Sequence, residues 1–413
     1  MSKSVPIKVI LFALISTCFL SCSNQNQQEN QKLLLVSFDG FRHDYLSKTE
    51  TPNFDQFVEK GVISEGLIPI FPSKTFPNYY AIATGLYPEN NGFIGNSMYD
   101  SQMDASFSMS NRDAVENPDW YEGEPIWNTV EKSGKKAGTM FWVGSETPIQ
   151  NMRPTHWKQY DGRMPDSARI DTVVKWLTFG NDQEVDFATL YFSFVDSRGH
   201  RFGPDSEEVV EAIKRADDLT GYLMKRLQES EILGNTNLMI VSDHGMAELS
   251  RERIIVLDDF VNIEDLEIIE YSPSLMMNVK NGKLDEVYAA LKENEEHYQV
   301  YKKDEIPERF HLKKHQRVPE LLMIVDVGYT INSKAYFDDR PDYPSGGAHG
   351  FDNQAREMHA LFLAQGPAFK KGYQMKSFEN VHLYELMAHL LNIKPAATDG
   401  SIDSVSMMLK TGF

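Results

Sequence analysis

Cysteine is nearly absent from this 413-residue chain, which has only Cys18 and Cys22, both close to the N-terminus. The rest of the chain therefore forms no disulfide and uses no thiol chemistry, so its stability must come from a hydrophobic core. Basic residues are also scarce, with 41 Lys and Arg against 60 Asp and Glu and a formal net charge of −19. A surface this acidic disfavours binding to a nucleic-acid polymer, and we predict none.

The N-terminal segment has the pattern of an export signal. Lys3 and Lys8 precede an apolar run, Val9–Leu20, which is too short to span a bilayer comfortably but suits a signal peptide. The run ends in FLSC, which resembles a bacterial lipobox whose cysteine becomes the lipidated first residue of the mature chain. We therefore predict a lipoprotein signal peptide over residues 1–21 and a membrane anchor at Cys22. Ordinary secretory cleavage without an anchor is the alternative.

After this signal, a polar tether is followed by alternating strands and helices. Residues 22–31 have too little apolar surface to fold. Apolar runs predict strands at Lys32–Phe38, Lys136–Val143, Asp186–Val195, Asn237–Val241 and His359–Leu363, and helical spacing predicts helices beginning at Thr51-Pro52 and spanning Asp205–Ser230. This alternation predicts an α/β domain over residues 32–413, doubly wound around a mostly parallel sheet.

Residues 254–343 interrupt that alternation. They contain short alternating segments, such as LMMNVK, around a predicted helix, Lys283–Glu293. We predict a small α+β insertion that returns the chain to the same sheet edge at the GGAHG segment.

Six candidate metal ligands follow predicted strands or lie in glycine-rich loops. Asp39 ends one strand, Asp243 and His244 leave another, and Asp196 precedes His200 in DSRGHRFGP, which we predict to be a loop because it contains two glycines and a proline. His349 lies in GGAHG. Carboxylates with imidazoles favour zinc over magnesium, so we predict two Zn²⁺. Taken alone, Asp39 would more simply be interpreted as a residue that caps a turn, and His349 would not indicate a metal site.

Two other histidines have a spacing found in metal sites. His311 and His315 are four residues apart, but no glutamate follows the first, as the helical zinc-protease pattern requires. We predict that they do not bind metal. His359, inside an apolar run, is predicted to be a core or supporting residue.

Thr75, in PSKTFPN, is the candidate nucleophile. Pro77 favours a helix start there, and a helix N-terminus attracts an anionic phosphoryl group. A threonine hydroxyl is a weak nucleophile unless metal coordination lowers its pKa, which the predicted zinc would do. The alternative is that Thr75 only caps the helix.

The segment Phe71–Asp100, with DSRGHRFGP, SDHGM and GGAHG, resembles the nucleotide pyrophosphatase/phosphodiesterase family of the alkaline phosphatase superfamily. The resemblance implies an alkaline-phosphatase-like fold, one zinc held by Asp39, Asp243 and His244, and another held by Asp196, His200 and His349. It implies that Thr75 contacts zinc and forms a covalent intermediate, and that Asn96 donates a hydrogen bond to a phosphoryl oxygen.

The resemblance also implies a substrate pocket. Phe76 and Tyr160 would stack a nucleotide base, and Trp142 and Tyr191 would line the same region, although core packing is the simpler interpretation of each aromatic residue alone. Lys74, beside the nucleophile, is the remaining substrate-binding candidate.

At two positions the chain differs from the nucleotide-preferring members of this family, which leaves open which nucleotide base it prefers. Ala114 stands where nucleotide-preferring relatives have a lysine, and Glu146 replaces an aspartate. The expected function is hydrolysis of phosphodiester and pyrophosphate bonds in nucleotides by a protein anchored to a bacterial membrane, with its catalytic domain in the periplasm or at the cell surface and no obligate protein partner. The alternatives are a diesterase for lysophospholipid or choline-phosphate esters, a zinc-retaining binding protein, and a phosphomonoesterase. The last would need an arginine to grip a dianionic phosphate.

Overall fold

The computed structural model describes residues 31–413, so the predicted signal peptide, the lipidation site Cys22 and most of the tether lie outside the described residues. The centre of the fold is an eight-stranded sheet. Its strands in chain order are β1 (Lys32–Phe38), β2 (Val62–Ser64), β3 (Ala137–Met140), β4 (His156–Trp157), β5 (Phe187–Phe192), β6 (Thr236–Val241), β7 (Phe362–Gln365) and β8 (Tyr373–Met375).

The sheet is mostly parallel, as the sequence predicts. Its spatial order is β8-β2-β7-β6-β1-β5-β3-β4. Strands β6, β1, β5, β3 and β4 are mutually parallel, whereas β7 runs antiparallel to both of its neighbours. The unbroken apolar run of β1 places this strand at the centre, where both of its faces are buried.

Helices cover both faces of the sheet. Along β1, Leu33 and Leu35 belong to the hydrophobic core on one face, and Leu34 and Val36 belong to the core on the other. The α-helices are α1 (Pro52–Glu59), α2 (Thr75–Thr84), α3 (Pro88–Asn91), α4 (Arg112–Val115), α5 (Ile126–Lys132), α6 (Asp166–Leu177), α7 (Phe194–Phe202), α8 (Glu207–Glu229), α9 (Leu284–Glu293), α10 (Lys334–Asp338) and α11 (His382–Leu390). Within residues 31–413, none of them is long and apolar enough to cross a bilayer.

A second, smaller sheet lies between β6 and β7 in the sequence. It is antiparallel, in the order Leu266–Glu270, Ser274–Val279, Leu321–Val325 and Tyr298–Lys302. It has its own hydrophobic core, to which Leu291 of α9 contributes. The remaining strands form short pairs: Leu67–Ile68 with Phe378–Glu379, Ser97–Asp100 with Ala105–Ser108, Ala247–Glu248 with Gly347–Ala348, and Ile254–Val256 with Thr330–Asn332.

Candidate active site

The carboxyl ends of β1 and β6 carry the first group of candidate ligands. These strands are neighbours and parallel, so Asp39, Asp243 and His244 emerge at one edge of the sheet. The Nε2 atom of His244 lies 2.9 Å from Asp243 Oδ2 and 3.6 Å from Asp39 Oδ1. All three side chains are buried, which suits a site that surrounds a cation.

The second group begins on a helix, where the prediction of a loop is wrong. Asp196 and His200 lie one turn apart on α7, with 3.3 Å between Asp196 Oδ1 and His200 Nε2. A single glycine costs a helix only about 1 kcal/mol. Gly199 is useful at its position, because a Cβ atom there would meet Met246 at 2.9 Å. The helix ends at Gly203, whose φ of +92° closes this turn.

His349 completes the second group from the distant GGAHG segment. Its Nε2 atom lies 3.1 Å from His200 Nε2 and 3.8 Å from Asp196 Oδ1. The His349 ring also stacks on the His244 ring, with centroids 3.4 Å apart. Asp196, His244 and His349 also form a set whose ligand atoms, one from each residue, all lie within 4.8 Å of one another. His244 therefore adjoins both groups. The six predicted ligands therefore form one continuous cluster.

The three histidines share one tautomer. Each Nδ1 atom lies 2.9 Å from a backbone carbonyl oxygen: His200 from Gly347, His244 from Gly245, and His349 from Ser73. A carbonyl oxygen only accepts, so each Nδ1 carries the proton. In the neutral ring, Nε2 then presents its lone pair to the cluster, which is the orientation of a metal-ligating histidine. The supporting carbonyls have no side-chain signature, so the sequence could not reveal them.

Three buried carboxylate oxygens give an independent indication of a cation. Asp39 Oδ1, Asp196 Oδ1 and Asp243 Oδ2 have no hydrogen-bond partner within residues 31–413. Burial raises the pKa of Asp39 well above its usual value, and the nearby Asp243 and Asp196 carboxylates raise it further. Buried carboxylates of this kind are normally paired or bound to metal, so the donor set fits divalent cations.

The second carboxylate oxygen of Asp39 and that of Asp243 each accept a hydrogen bond from the protein. Tyr191 donates its hydroxyl proton to Asp39 Oδ2 over 2.6 Å, and the Gly40 N–H donates to Asp243 Oδ1 over 3.2 Å. These contacts leave Asp39 Oδ1 and Asp243 Oδ2 directed at the cluster. Tyr191, predicted from sequence only as a substrate contact, thus also orients a candidate ligand.

Thr75 is the first residue of α2, with Lys74 at the N-cap position. Its Oγ1 lies 3.2 Å from His244 Nε2, so the hydroxyl lies directly beside the ligand cluster. Asn96 is fixed nearby, because its Oδ1 accepts the Phe76 N–H over 3.0 Å. The Nδ2 group is then the end of Asn96 that is available to donate to a ligand.

A cavity of about 160 Å³ lies on one side of Thr75. Phe76, Trp142, Tyr160 and Tyr191, the four predicted aromatic residues, all line it. Trp142 is fixed by a 2.9 Å hydrogen bond from Nε1 to the Tyr79 carbonyl. We call this space the aromatic cavity. The strand predicted to reach Val143 ends at Met140, because Phe141 has a φ of +63° that turns the chain into the cavity wall.

Two charged residues also line the aromatic cavity. Arg112, which sequence reasoning missed, forms an ion pair with Glu146, and the Glu146 side chain is only 8% exposed. The buried Ala114 lies two residues along α4. Glu146, one of the two departures noted in the sequence, therefore lies at this end of the cavity, where it pairs with the positive charge of Arg112.

A separate cavity of about 360 Å³ borders the other candidate residues. Lys74, Asn96, His200 and His349 line it, together with Glu270 from the smaller sheet. We call it the polar cavity. The structure therefore divides the predicted site residues: Lys74 and Asn96 line the polar cavity, and the predicted aromatic residues line the other.

The remaining histidines do not join the cluster. His311 has a left-handed backbone and stacks on Tyr87, and His315 pairs with Glu122 at 3.0 Å, so the two rings have different partners. His359 is buried and accepts a hydrogen bond from Arg356, as expected for a supporting residue.

Known proteins resemble this chain in sequence and in fold. The sequence profile of the family described as type I phosphodiesterase/nucleotide pyrophosphatase matches residues 33–352. Human ectonucleotide pyrophosphatase/phosphodiesterase family member 5 is 36% identical over 99% of this chain and 84% of its own length. The bis(5′-adenosyl)-triphosphatase of Xenopus laevis is 34% identical over 97% of this chain and 87% of its own.

A solved structure shows the same fold. Murine ectonucleotide pyrophosphatase/phosphodiesterase 5, an inactive threonine-to-alanine variant in complex with AMP, superposes with a TM-score of 0.87. The two are 36% identical, over 92% of this chain and all of the murine one. The predicted α/β fold of alkaline-phosphatase-like type is therefore confirmed. The chain belongs to the type I phosphodiesterase/nucleotide pyrophosphatase family.

Proposed function

We propose that this protein hydrolyses phosphodiester and pyrophosphate bonds in nucleotides and their derivatives, releasing nucleoside 5′-monophosphates through a covalent intermediate on Thr75. One observation carries the proposal: Thr75 Oγ1 lies between the aromatic cavity, which Thr75 lines, and the ligand cluster, 3.2 Å from His244 Nε2. A diester bound with its nucleoside in that cavity would place its phosphorus beside this hydroxyl.

We assign the cluster to two zinc ions. Asp39, Asp243 and His244 would hold one, and Asp196, His200 and His349 the other. Three imidazoles with Nε2 lone pairs favour zinc over magnesium. When bound, the ions would polarise phosphoryl oxygens and lower the pKa of a coordinated hydroxyl.

The chain's own residues then account for two displacements. In the first, Thr75 Oγ1 gives up its proton to solvent and bonds to phosphorus, while the bond from phosphorus to the departing oxygen breaks and that oxygen takes up a proton from water. In the second, water attacks the phosphothreonyl ester, which releases the nucleoside monophosphate and restores Thr75. The N-terminus of α2 and the Asn96 amide would stabilise the charge on the phosphoryl oxygens in both steps.

The aromatic cavity supports a nucleoside as the retained half of the substrate. Phe76 and Tyr160 are the proposed stacking residues, since every base has a face that stacks on an aromatic ring. Trp142 and Tyr191 line the space around them. The AMP bound to the murine relative supports a nucleotide at this family's site.

Substrate comparison tests the reaction class. We expect the zinc-loaded protein to prefer p-nitrophenyl thymidine 5′-phosphate over p-nitrophenyl phosphate by on the order of 100-fold in kcat/KM. Arg112 is paired with Glu146, so it does not offer a free guanidinium for a dianionic monoester. Preference for the monoester would overturn the proposal, and faster release of choline phosphate from a lysophospholipid would favour the lipid diesterase instead.

We also propose that the protein is exported and anchored through Cys22. The support is the signal-like sequence of residues 1–21 and the lipobox resemblance of FLSC. Radiolabelled palmitate should enter the full chain and the Cys18→Ser control, but not Cys22→Ser. Equal labelling of Cys22→Ser, or no labelling of the unmodified chain, would contradict the anchor.

A further inference from the structure

The polar cavity contains an ion pair that the reaction proposed above does not use. Lys74 Nζ lies 3.0 Å from Glu270 Oε1, and the two side chains are only 5% and 10% exposed. Lys74 also donates to the Tyr271 carbonyl over 3.0 Å, so its ammonium is fixed in place. The positive charge next to the nucleophile is therefore neutralised by a carboxylate in the same cavity.

Glu270 is itself held firmly. It ends the first strand of the smaller sheet, beside a register shift between Ile268 and Glu270. Its Oε2 accepts the Ser97 N–H over 2.8 Å, and a Cβ atom on Gly95 would come within 2.7 Å of the same oxygen. Glu270 thus lies against Gly95 and Ser97, the two residues that flank Asn96 in the sequence. A carboxylate held this way cannot move aside at low cost when an anion enters.

The position of the cavity indicates what enters it. The aromatic and polar cavities share no lining residue among the described residues, and Thr75 lines the first while its neighbour Lys74 lines the second. If the nucleoside occupies the aromatic cavity, as the proposed function requires, the departing half of the diester must extend past the ligand cluster. His200 and His349 lead from that cluster into the polar cavity.

We infer that the polar cavity binds the departing group and that Glu270, by neutralising Lys74, selects departing groups without additional negative charge. An unpaired buried lysine would attract a phosphate-rich group such as pyrophosphate. The fixed carboxylate removes this attraction, so an additional anion would lose its hydration in the cavity without gaining a free cation. The preferred substrates are therefore nucleotide diesters whose departing half is a neutral alcohol, such as the 3′-hydroxyl of a nucleoside.

Two substrates with the same retained half test this inference. ATP and adenylyl-(3′→5′)-adenosine both yield AMP, but the departing group is pyrophosphate in the first and uncharged adenosine in the second. We would measure kcat/KM for AMP release from each with the zinc-loaded full chain. In Glu270→Gln, the ratio of ATP to dinucleotide is expected to rise by on the order of tenfold, because one negative charge near the departing group is lost.

Two further variants separate charge from structure. Glu267→Gln removes the same charge from an exposed position on the same strand and should leave the ratio unchanged. The double variant Lys74→Met/Glu270→Gln keeps the cavity neutral and should return the ratio to within about twofold of the unmodified protein. A general defect would lower both substrates equally. An unchanged ratio in Glu270→Gln, or an equal rise in Glu267→Gln, would overturn the inference. If the unmodified protein released AMP from neither substrate, the proposed function itself would fail.

Discussion

Replacement of Thr75 with alanine is expected to lower kcat for nucleotide diesters by at least about 10⁴-fold, because the proposed reaction loses its nucleophile. The change should leave nucleotide binding nearly intact. The substitution leaves Phe76, Trp142 and Tyr160 in the wall of the aromatic cavity. It also changes none of the six aspartate and histidine side chains that are candidate metal ligands. The measurement is kcat for p-nitrophenyl thymidine 5′-phosphate, with AMP affinity determined by titration calorimetry.

Thr75→Ser is the matched control, since it keeps the hydroxyl and removes one methyl group. We expect it to retain activity within about tenfold of the unmodified protein. Brief mixing with a ³²P-labelled substrate followed by acid quenching should leave label on the unmodified chain and none on Thr75→Ala. Turnover by Thr75→Ala near the original rate would show that water attacks directly, and the covalent mechanism would then be wrong.

Much of the fold could be predicted from local sequence patterns. The apolar run of β1 and the helical periodicity of α8 agree with the predicted strand and helix to within two residues at each end. Both patterns are strong because a central parallel strand and a long amphipathic helix bury large, regular apolar surfaces. Asp39 and Asp243 lie within two residues of the ends of β1 and β6, so their convergence could be predicted as well.

The features that sequence could not reveal depend on distant contacts. The glycine in α7 suggested a loop, but the space it leaves is filled by Met246, which packs against the helix from the loop after β6. Glu270 gave no signal, because its partners Lys74 and Ser97 are more than 170 residues away in the chain. Phe141 turns the chain with a φ of +63°, a backbone angle that phenylalanine rarely adopts. Each of these features depends on the tertiary structure rather than on the local sequence.

His244 provides the second large expected effect, because it belongs to both groups of side chains within residues 31–413 that could hold a metal ion. Replacement with alanine should lower bound zinc from about two ions per chain to below about one, and kcat/KM by at least about 10³-fold. His200→Ala should lose about one ion, since His200 contacts only Asp196 and His349 within the cluster. Zinc per chain would be measured by mass spectrometry after dialysis against buffered zinc, together with the rise in Tm that zinc produces.

His359→Ala is the matched control for loss of a buried histidine. His359 is 5% exposed and so is buried like His244, but it bonds to Arg356 and lies outside the cluster. It should therefore keep both ions and their effect on Tm, even if the apo protein is less stable. Loss of zinc in both His244→Ala and His359→Ala would indicate a general packing defect. Retention of two ions by His244→Ala would show that the metals are held elsewhere, since His244 is a member of both groups of side chains found within residues 31–413 that could hold a metal ion.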